Sequence, residues 1–278
     1  MTTSRFVKTN GVSLRYEIVG SGPLLCLING LRLHGGAWPA PFVGRLAEYF
    51  SVLSYDARGT GLSDKPPGGY EMSNMAKDAA GLVSELGYQC AHVLGFSMGG
   101  AVAQELALRY PRHVDRLALF ATFAGAGFTV PAPWSVQRRL FNIEGLSPEE
   151  AARQVWPVTY ASAYLSENAS TVESQMRREI AHPTPDHVAR GQGNGLRRFS
   201  SGWRLWQVRA CTLVVTGTDD QLVPPSNSRF LASAILCSRL HLVRDLGHRL
   251  IWEAPEEMAD LVIDFLLVKR SRWPQPLS

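Results

Sequence analysis

The protein has 278 residues, of which 45% are hydrophobic and 19% are charged, so the chain is long enough to bury a large hydrophobic core. Its formal net charge of +4 is spread along the chain, and the one compact basic run spans residues 269–272, which argues against a nucleic-acid partner. Because residues 1–10 lack a signal-peptide core and no apolar stretch approaches the roughly 20 residues of a membrane span, we predict a cytoplasmic protein without a membrane partner.

Strand-like and helix-like segments alternate over residues 1–123. Apolar runs typical of buried or half-buried strands occur at residues 12–19, 24–28, 52–55, 92–95 and 117–120. Apolar residues at helical spacing occur between them, at residues 38–50, 73–86 and 98–110. The last of these helices is expected to end before Pro111, because the residue that precedes a proline disfavours the helical conformation.

Residues 124–209 interrupt the alternation. This segment is too long for a structureless loop, and it contains helix-like patches at residues 135–141, 148–156, 171–180 and 186–190. We therefore predict a helical lid inserted over one end of the sheet. Four of the seven tryptophans fall within it, namely Trp134, Trp156, Trp203 and Trp206. They would either attach the small helices to the sheet or line an apolar pocket, so Trp134 and Trp156 are candidate substrate-binding residues.

The alternation resumes after residue 209. Strands are predicted at residues 212–216 and 240–243, and helices at residues 226–236 and 256–268. Strands that alternate with helices are typical of a mainly parallel sheet covered on both faces. We therefore predict an α/β fold whose core domain is formed by residues 1–123 and 210–278.

The four cysteines, Cys26, Cys90, Cys211 and Cys237, lie far apart in the sequence. Three of them open or lie within apolar runs of strand character, where a free cysteine behaves as a small buried hydrophobic residue. We therefore expect neither a disulfide nor a metal cluster.

The sequence Gly95-Phe96-Ser97-Met98-Gly99 lies where a predicted strand turns into a predicted helix. At so sharp a turn, side chains two residues before and after the serine would collide, which explains the two glycines. The turn raises the serine hydroxyl clear of the sheet, and the helix that begins there directs free N–H groups toward negative charge near the serine. Ser97 is therefore the candidate nucleophile.

A serine hydroxyl needs a base to remove its proton and an acid to orient that base. Among the seven histidines, His248 follows the predicted strand 240–243 and precedes the last helix, which places it at the same end of the sheet as Ser97. The polar loop after strand 212–216 supplies two candidate acids, Asp219 and Asp220. The chain order serine, acid, histidine is the order expected for an α/β-hydrolase.

With these motifs, the sequence resembles the α/β-hydrolase family along most of its length. The segment at residues 55–63 is similar to the loop after the family's fourth strand, and Gly247-His248 with residues 253–256 is similar to its histidine loop. The resemblance implies a mostly parallel, eight-stranded sheet and assigns the acid to Asp220, in the G-x-x-D-x-x-V-P loop. Asp56 is interpreted as a loop-forming residue, because its side chain can bind N–H groups of the turn.

The N-terminal half is most similar to the 3-oxoadipate enol-lactonase subfamily. Asn29-Gly30 stands where most α/β-hydrolases have His-Gly, Trp38 follows nine residues later, and residues 55–59 read Y-D-A-R-G. Because the preceding strand ends near residue 28, we expect the backbone N–H groups of Leu31 and Met98 to form the oxyanion hole. The displaced sequence at residues 34–36 is an alternative oxyanion loop.

Arg32 and His34 each have two interpretations. Arg32 would hold a substrate carboxylate by paired, charge-assisted hydrogen bonds, or its side chain would extend into water. His34 would line the mouth of the pocket or cap the next helix. Both are candidate substrate-binding residues.

Together these features predict a serine hydrolase that cleaves a small-molecule carboxylic ester or lactone through an acyl-enzyme, without a cofactor or metal. A hydrolase, thioesterase or cyclase acting on a larger apolar natural-product intermediate is one rival function. A non-hydrolytic ligand-binding protein is another, since fold does not determine function. The substrate within these classes is left open, and a homodimer is compatible with the sequence.

Overall fold

A computed structural model describes residues 5–141 and 145–268 of the protein. The strands are β1 (Arg5–Thr9), β2 (Val12–Val19), β3 (Leu24–Ile28), β4 (Ser51–Tyr55), β5 (Ala91–Phe96), β6 (Val114–Phe120), β7 (Cys211–Gly217) and β8 (Ser238–Val243). They form one eight-stranded sheet in the order β1-β2-β4-β3-β5-β6-β7-β8. β2 pairs antiparallel with both β1 and β4, and every other neighbouring pair is parallel.

The α-helices are α1 (Ala40–Ala47), α2 (Met72–Glu85), α3 (Met98–Arg109), α4 (Trp134–Phe141), α5 (Pro148–Thr159), α6 (Ser162–Glu167), α7 (Ala169–Ile180), α8 (Asp186–Arg198), α9 (Pro225–Ala234), α10 (Leu250–Glu253) and α11 (Pro255–Leu267). α1, α10 and α11 pack on one face of the sheet, and α2, α3 and α9 pack on the other. The strands of the centre are buried on both sides, as in β3, where every residue is buried. The predicted mostly parallel sheet with helices on both faces is confirmed.

This topology brings three loops to one edge of the sheet. β5, β7 and β8 run in the same direction, so the loops that follow them leave the sheet at the same end. Helices α4 to α8 all lie between β6 and β7, within residues 124–209. None of the helices in the described ranges 5–141 and 145–268 is long and apolar enough to cross a membrane.

The edge strand β1 was not expected from its sequence, RFVKT, which lacks the alternation of apolar and polar residues that is typical of a strand and has no buried side chain. It pairs with β2 through a turn at Asn10 and Gly11, whose φ angles are +46° and +75°. Asn-Gly with two positive φ angles is typical of a two-residue hairpin. The Asn-Gly sequence is therefore the signal that identifies this strand.

Helix α8 is longer than predicted, since it continues from residue 190 to Arg198 through the sequence GQGNG. Glycines in a helix interior cost about 1 kcal/mol each relative to alanine, which is why the sequence predicts an earlier end. The structure shows what they permit. A Cβ on Gly191 would lie 2.4 Å from Tyr70 Cδ2, and a Cβ on Gly195 would lie 2.2 Å from the Tyr70 carbonyl oxygen. Close packing against the segment around Tyr70 therefore outweighs helix propensity.

The expectation that the protein lacks a disulfide is wrong, because Cys211 and Cys237 are joined by one. They are 26 residues apart in the sequence, but the parallel register of β7 and β8 brings their Cα atoms to 4.8 Å. Cys26 is a free, buried core residue as predicted, and burial raises the pKa of its thiol to about 12. Strand pairing, which the spacing of the cysteines does not reveal, decides which of them meet.

Candidate active site

Ser97 occupies a strained turn between β5 and α3. Its φ and ψ are +53° and −118°, a conformation that residues other than glycine rarely adopt. Both of its backbone groups are held: its N–H donates to the Phe120 carbonyl oxygen (2.9 Å), and its carbonyl oxygen accepts from Thr122 Oγ1 (2.7 Å). The end of β6 and the residues after it therefore keep the turn in place and leave the hydroxyl partly exposed.

The two glycines that flank the serine are required for different reasons. A Cβ on Gly95 would lie 2.4 Å from the Gly99 carbonyl oxygen, so the strand and helix do approach each other as the motif implies. A Cβ on Gly99 would lie 2.0 Å from the carbonyl oxygen of Ile28, at the end of β3. The second glycine therefore makes room for the neighbouring strand rather than for the residue before the serine.

His248 lies in the loop after β8 and faces Ser97. The Ser97 hydroxyl is 3.1 Å from His248 Nε2, and His248 Nδ1 is 2.8 Å from Asp220 Oδ2. Because a carboxylate only accepts hydrogen bonds, Nδ1 carries the proton and Nε2 is left free to accept from the serine hydroxyl. This tautomer is the one that a general base beside a serine requires.

Of the two candidate acids, the structure brings Asp220 and not Asp219 to the histidine. Asp220 is buried, and its Oδ1 accepts from the backbone N–H groups of Leu222 (2.9 Å) and Val223 (2.7 Å). These bonds orient the carboxyl group so that Oδ2 faces His248. Asp219 is exposed, and its side chain accepts from Thr218 Oγ1 (3.1 Å).

Two backbone N–H groups near the serine are unused. Neither the Leu31 N–H nor the Met98 N–H donates a hydrogen bond to any residue that the structure describes. The loop of Leu31 passes close to the serine, since a Cβ on Gly30 would lie 3.4 Å from Ser97 Cβ. The side chain of Asn29 braces this loop by accepting from the Gly30 N–H (2.8 Å) and donating to the His34 carbonyl oxygen (3.1 Å).

A model of the alpha/beta hydrolase fold family matches residues 23–255 of the sequence. The chain belongs to the α/β-hydrolase family. One similar protein is the 2-hydroxy-6-oxo-6-phenylhexa-2,4-dienoate hydrolase of Comamonas testosteroni, which is 30% identical over 95% of this chain and 96% of its own.

Two solved structures that resemble this α/β-hydrolase are an enol-lactonase and an esterase. The enol-lactonase from Burkholderia xenovorans LB400 has a TM-score of 0.84 at 26% identity and covers 95% of this chain and 100% of its own. The thermophilic esterase from Thermogutta terrifontis has a TM-score of 0.82 at 26% identity, with coverages of 95% and 98%. The protein is thus a hydrolase of the α/β fold.

Asp56 organises the loop after β4 in this α/β-hydrolase. Its Oδ1 accepts from the Gly35 N–H (2.7 Å) and its Oδ2 from the Leu62 N–H (2.8 Å). Both carboxylate oxygens are therefore engaged by the backbone. The interpretation of Asp56 as a loop-forming residue is confirmed.

His34 takes the capping role, which was one of its two interpretations. Its Nδ1 accepts from the Gly36 N–H (3.1 Å) at the start of a short 3₁₀ helix, so Nε2 carries the proton and donates to the Arg178 carbonyl oxygen (3.1 Å). Both ring nitrogens are used, and the side chain is buried. His34 thus joins the loop after β3 to α7.

The backbone of Arg32 is held on both sides by residues that the sequence did not single out. Its N–H donates to Gln192 Oε1 (3.1 Å), and its carbonyl oxygen accepts from Thr184 Oγ1 (2.9 Å). These bonds support a left-handed conformation with φ +65°, which is uncommon for arginine. The sequence does not reveal this role of Gln192, because only the packed structure shows that α8 lies against the loop after β3.

Three of the four tryptophans between residues 124 and 209 lie on the surface, which neither interpretation expects. Trp134, Trp203 and Trp206 are 69%, 80% and 60% exposed. Trp156 is partly buried and packs against the core cluster on the α1 and α11 face of the sheet. The small helices at this end are attached by other apolar side chains, since Val172 of α7 belongs to the same cluster and Tyr164 of α6 packs against it, and by polar contacts such as that of His34 with Arg178.

The histidine loop is anchored to residues 159–161. The Arg249 N–H donates to the Thr159 carbonyl oxygen (2.9 Å), and a Cβ on Gly247 would lie 2.5 Å from the Ala161 nitrogen. Glu253 links the two segments, since its carboxyl group accepts from the N–H groups of Gly247 (3.1 Å) and Ala161 (3.3 Å). Gly247 therefore has no side chain because the backbone of residues 160–161 occupies that space.

Burial raises the pKa of Glu253 from its ordinary value of 4.5 to about 7. The hydrogen bonds from the Gly247 and Ala161 N–H groups lower this pKa, and the negative charges of Asp220 and Asp219 raise it. The folded protein therefore binds more protons than the unfolded chain between these two values. The stability that Glu253 contributes is fully present below pH 4.5 and is lost as the pH rises through about 7.

We expect Glu253→Gln, whose side chain cannot ionise, to remove this pH-dependent loss of stability. The free energy of unfolding of the variant should rise relative to the wild type between pH 4.5 and 7 by on the order of 2 kcal/mol, because the buried negative charge is absent. Urea unfolding at pH 4.5, 5.5, 6.5 and 7.5 measures the free energy of unfolding of both proteins. Glu257→Gln is the control, because Glu257 is exposed. A wild-type-to-variant difference that does not change with pH would contradict the prediction.

Proposed function

We propose that the protein hydrolyses a carboxylic ester or lactone through an acyl-enzyme formed on Ser97. The observation that carries this proposal is the continuous chain of hydrogen bonds from Ser97 Oγ through His248 to Asp220. A hydroxyl whose proton has an oriented acceptor is an activated nucleophile.

In the first step, His248 Nε2 takes the hydroxyl proton as Ser97 Oγ attacks the carbonyl carbon. The carbonyl oxygen becomes an oxyanion, which the N–H groups of Leu31 and Met98 stabilise. Both donors are available, because neither is used by a described residue. The Met98 N–H also lies at the N-terminus of α3, where the helix dipole favours negative charge.

In the second step, the C–O bond of the ester breaks, and the imidazolium of His248 returns its proton to the leaving alkoxide. For a lactone, the alkoxide stays attached to the acyl group. A water molecule then gives a proton to Nε2 and attacks the acyl carbon. The bond between the acyl carbon and Ser97 Oγ breaks, the imidazolium returns the proton to Oγ, and the carboxylic acid leaves. Asp220 stabilises the imidazolium that forms in both steps.

The choice of an ester or lactone rests on two of the three similar proteins. The Burkholderia enol-lactonase and the Thermogutta esterase are both similar over 95% of this chain. Asn29, which braces the loop after β3, is also one of the residues that carry the sequence resemblance to enol-lactonases. A larger apolar substrate loses support, because three of the four tryptophans, for which an apolar pocket was one of two interpretations, are exposed.

We also propose that residues 124–209 form a lid whose position is coupled to the active-site loops. Its residues contact the histidine loop through Thr159 and Ala161, and the loop after β3 through Thr184 and Gln192.

A cytoplasmic location stays a prediction from the sequence, and a homodimer stays open.

A fluorophosphonate probe followed by a substrate panel tests the function. We expect the probe to label Ser97, as located by mass spectrometry of the peptide, because phosphonylation requires an activated hydroxyl. The panel compares lactones, methyl esters and thioesters of matched acyl length, with lactones or esters expected to give the highest kcat/KM. Absence of labelling would indicate a ligand-binding protein, and thioesters as the best substrates would indicate a thioesterase.

A further inference from the structure

The Arg249 side chain joins the histidine loop to helix α7. Its Nη1 and Nη2 donate to the two carboxylate oxygens of Glu179, near the C-terminus of α7, and the distance from Nη2 to Oε2 is 3.0 Å. The guanidinium carbon also lies 5.4 Å from the ring centroid of Tyr160 and 5.1 Å from that of Trp252. Because Arg249 directly follows His248, this side chain connects the catalytic base to a helix of the inserted segment.

The ion pair of Arg249 and Glu179 is largely shielded from water. Its two side chains are 14% and 13% exposed, whereas those of Arg153 and Glu173, a second ion pair that involves α7, are 55% and 36% exposed. Removing two charges from water costs free energy that their attraction repays only with good geometry, so a buried pair adds little net stability over apolar side chains of the same volume. A bidentate pair does fix the direction and the distance of both side chains. The geometry that the pair imposes therefore explains its presence better than stability does.

The same end of α7 also holds the loop after β3. The Arg178 carbonyl oxygen accepts from Nε2 of His34 (3.1 Å), in the loop that carries the Leu31 N–H, a proposed oxyanion donor. Glu179 is the next residue and binds the histidine loop. Two adjacent residues of α7 thus connect the loop of the base with the loop of the oxyanion donor.

The position of His248 depends on contacts of its loop, because the residue lies between β8 and α10 and belongs to neither. Its Nε2 is 3.1 Å from Ser97 Oγ, within the hydrogen-bond reach that a general base needs. A displacement of about 1 Å can lower the rate of a reaction by about 10²-fold. A contact that fixes this loop therefore controls the chemical steps without touching the substrate.

We propose that Glu179 is a positioning residue, which through its ion pair with Arg249 keeps His248 Nε2 at the distance from Ser97 Oγ that proton transfer requires. Glu179 acts through the histidine loop and not on the substrate. The pair couples the packing of α7 to both steps of the reaction, since His248 takes and returns a proton in each. This inference rests on the proposed hydrolase function.

Glu179→Gln and the double variant Glu179→Leu/Arg249→Met test the inference. Glu179→Gln keeps the shape of the side chain but leaves the guanidinium without its anion. The double variant removes both charges, so it leaves no buried charge unpaired and should retain the fold. We expect each variant to lower kcat for p-nitrophenyl butyrate by about 10- to 100-fold at unchanged KM, because the base is displaced and substrate binding is not affected.

The rate of fluorophosphonate labelling at Ser97 is a second readout. It should fall by a factor similar to that of kcat, because labelling also requires His248 to accept the hydroxyl proton. Thermal unfolding shows which variants are folded at the assay temperature. If Glu179→Gln is unfolded, the double variant still decides the question.

Arg249→Lys is the conservative variant, because it keeps the positive charge and one hydrogen bond to Glu179. We expect it to have a higher kcat than the double variant and a lower kcat than the wild type. Glu173→Gln is the matched control, since it breaks the exposed ion pair on the same helix, and it should keep kcat within about twofold of the wild type.

A wild-type kcat in the folded double variant would overturn the inference, because the ion pair would then have no effect on the base. An equal loss of kcat in Glu173→Gln and Glu179→Gln would also overturn it, since any disturbance of α7 would then have the same effect. Failure of the hydrolase function itself is a different result, namely a wild type that fluorophosphonate does not label at Ser97.

Discussion

Ser97→Ala is expected to lower kcat for short p-nitrophenyl esters by about 10⁶-fold. His248→Ala is expected to lower kcat by a similar factor, because the two residues act as one catalytic unit. The alanine at position 97 has no oxygen to form the acyl-enzyme. The alanine at position 248 leaves the serine hydroxyl with no acceptor for its proton. Steady-state kinetics with burst-phase analysis measures both losses.

The matched controls are Ser233→Ala and His241→Ala, which replace exposed residues of the same types. Both should keep wild-type rates. The double variant Ser97→Ala/His248→Ala should be no slower than either single variant by more than a small factor. If Ser97→Ala keeps more than about 1% of the activity, another residue is the nucleophile and the mechanism is wrong.

Asp220→Asn is expected to lower kcat by up to about 10⁴-fold while the fold is retained. An amide oxygen in place of Oδ1 can still accept from the N–H groups of Leu222 and Val223, which sets the amide NH₂ toward His248. Nδ1 must then accept, so the proton moves to Nε2 and the base is blocked. The pH dependence of kcat and the thermal midpoint distinguish this loss from unfolding.

Asp219→Asn is the control for this prediction, since Asp219 is the adjacent acid and lies on the surface. It should leave kcat within about twofold of the wild type. Loss of activity in Asp219→Asn with normal rates in Asp220→Asn would move the orienting acid by one position.

The sequence was sufficient to predict local structure wherever a short motif determines its own backbone geometry. The strand at residues 24–28, the turn at Ser97 and the loop role of Asp56 all depend on neighbouring residues and on steric rules that hold in any context. Asn10-Gly11 shows the same principle, because its hairpin signal was present although the strand before it was not predicted. Helix α8 shows the limit, since its glycines argue against a helix until their packing partner Tyr70 is known.

The sequence by itself determined the alternation of strands and helices, the residue types of the site and their order along the chain, since periodicity and turn chemistry are local properties. Only the tertiary structure decided that Cys211 and Cys237 are bonded and that Gln192 lies against the loop after β3, and it placed against His248 the Asp220 that the family resemblance favoured. Each of these depends on contacts between residues that are distant in the sequence. Strand register and helix packing set the distances between such residues, and their spacing along the chain does not.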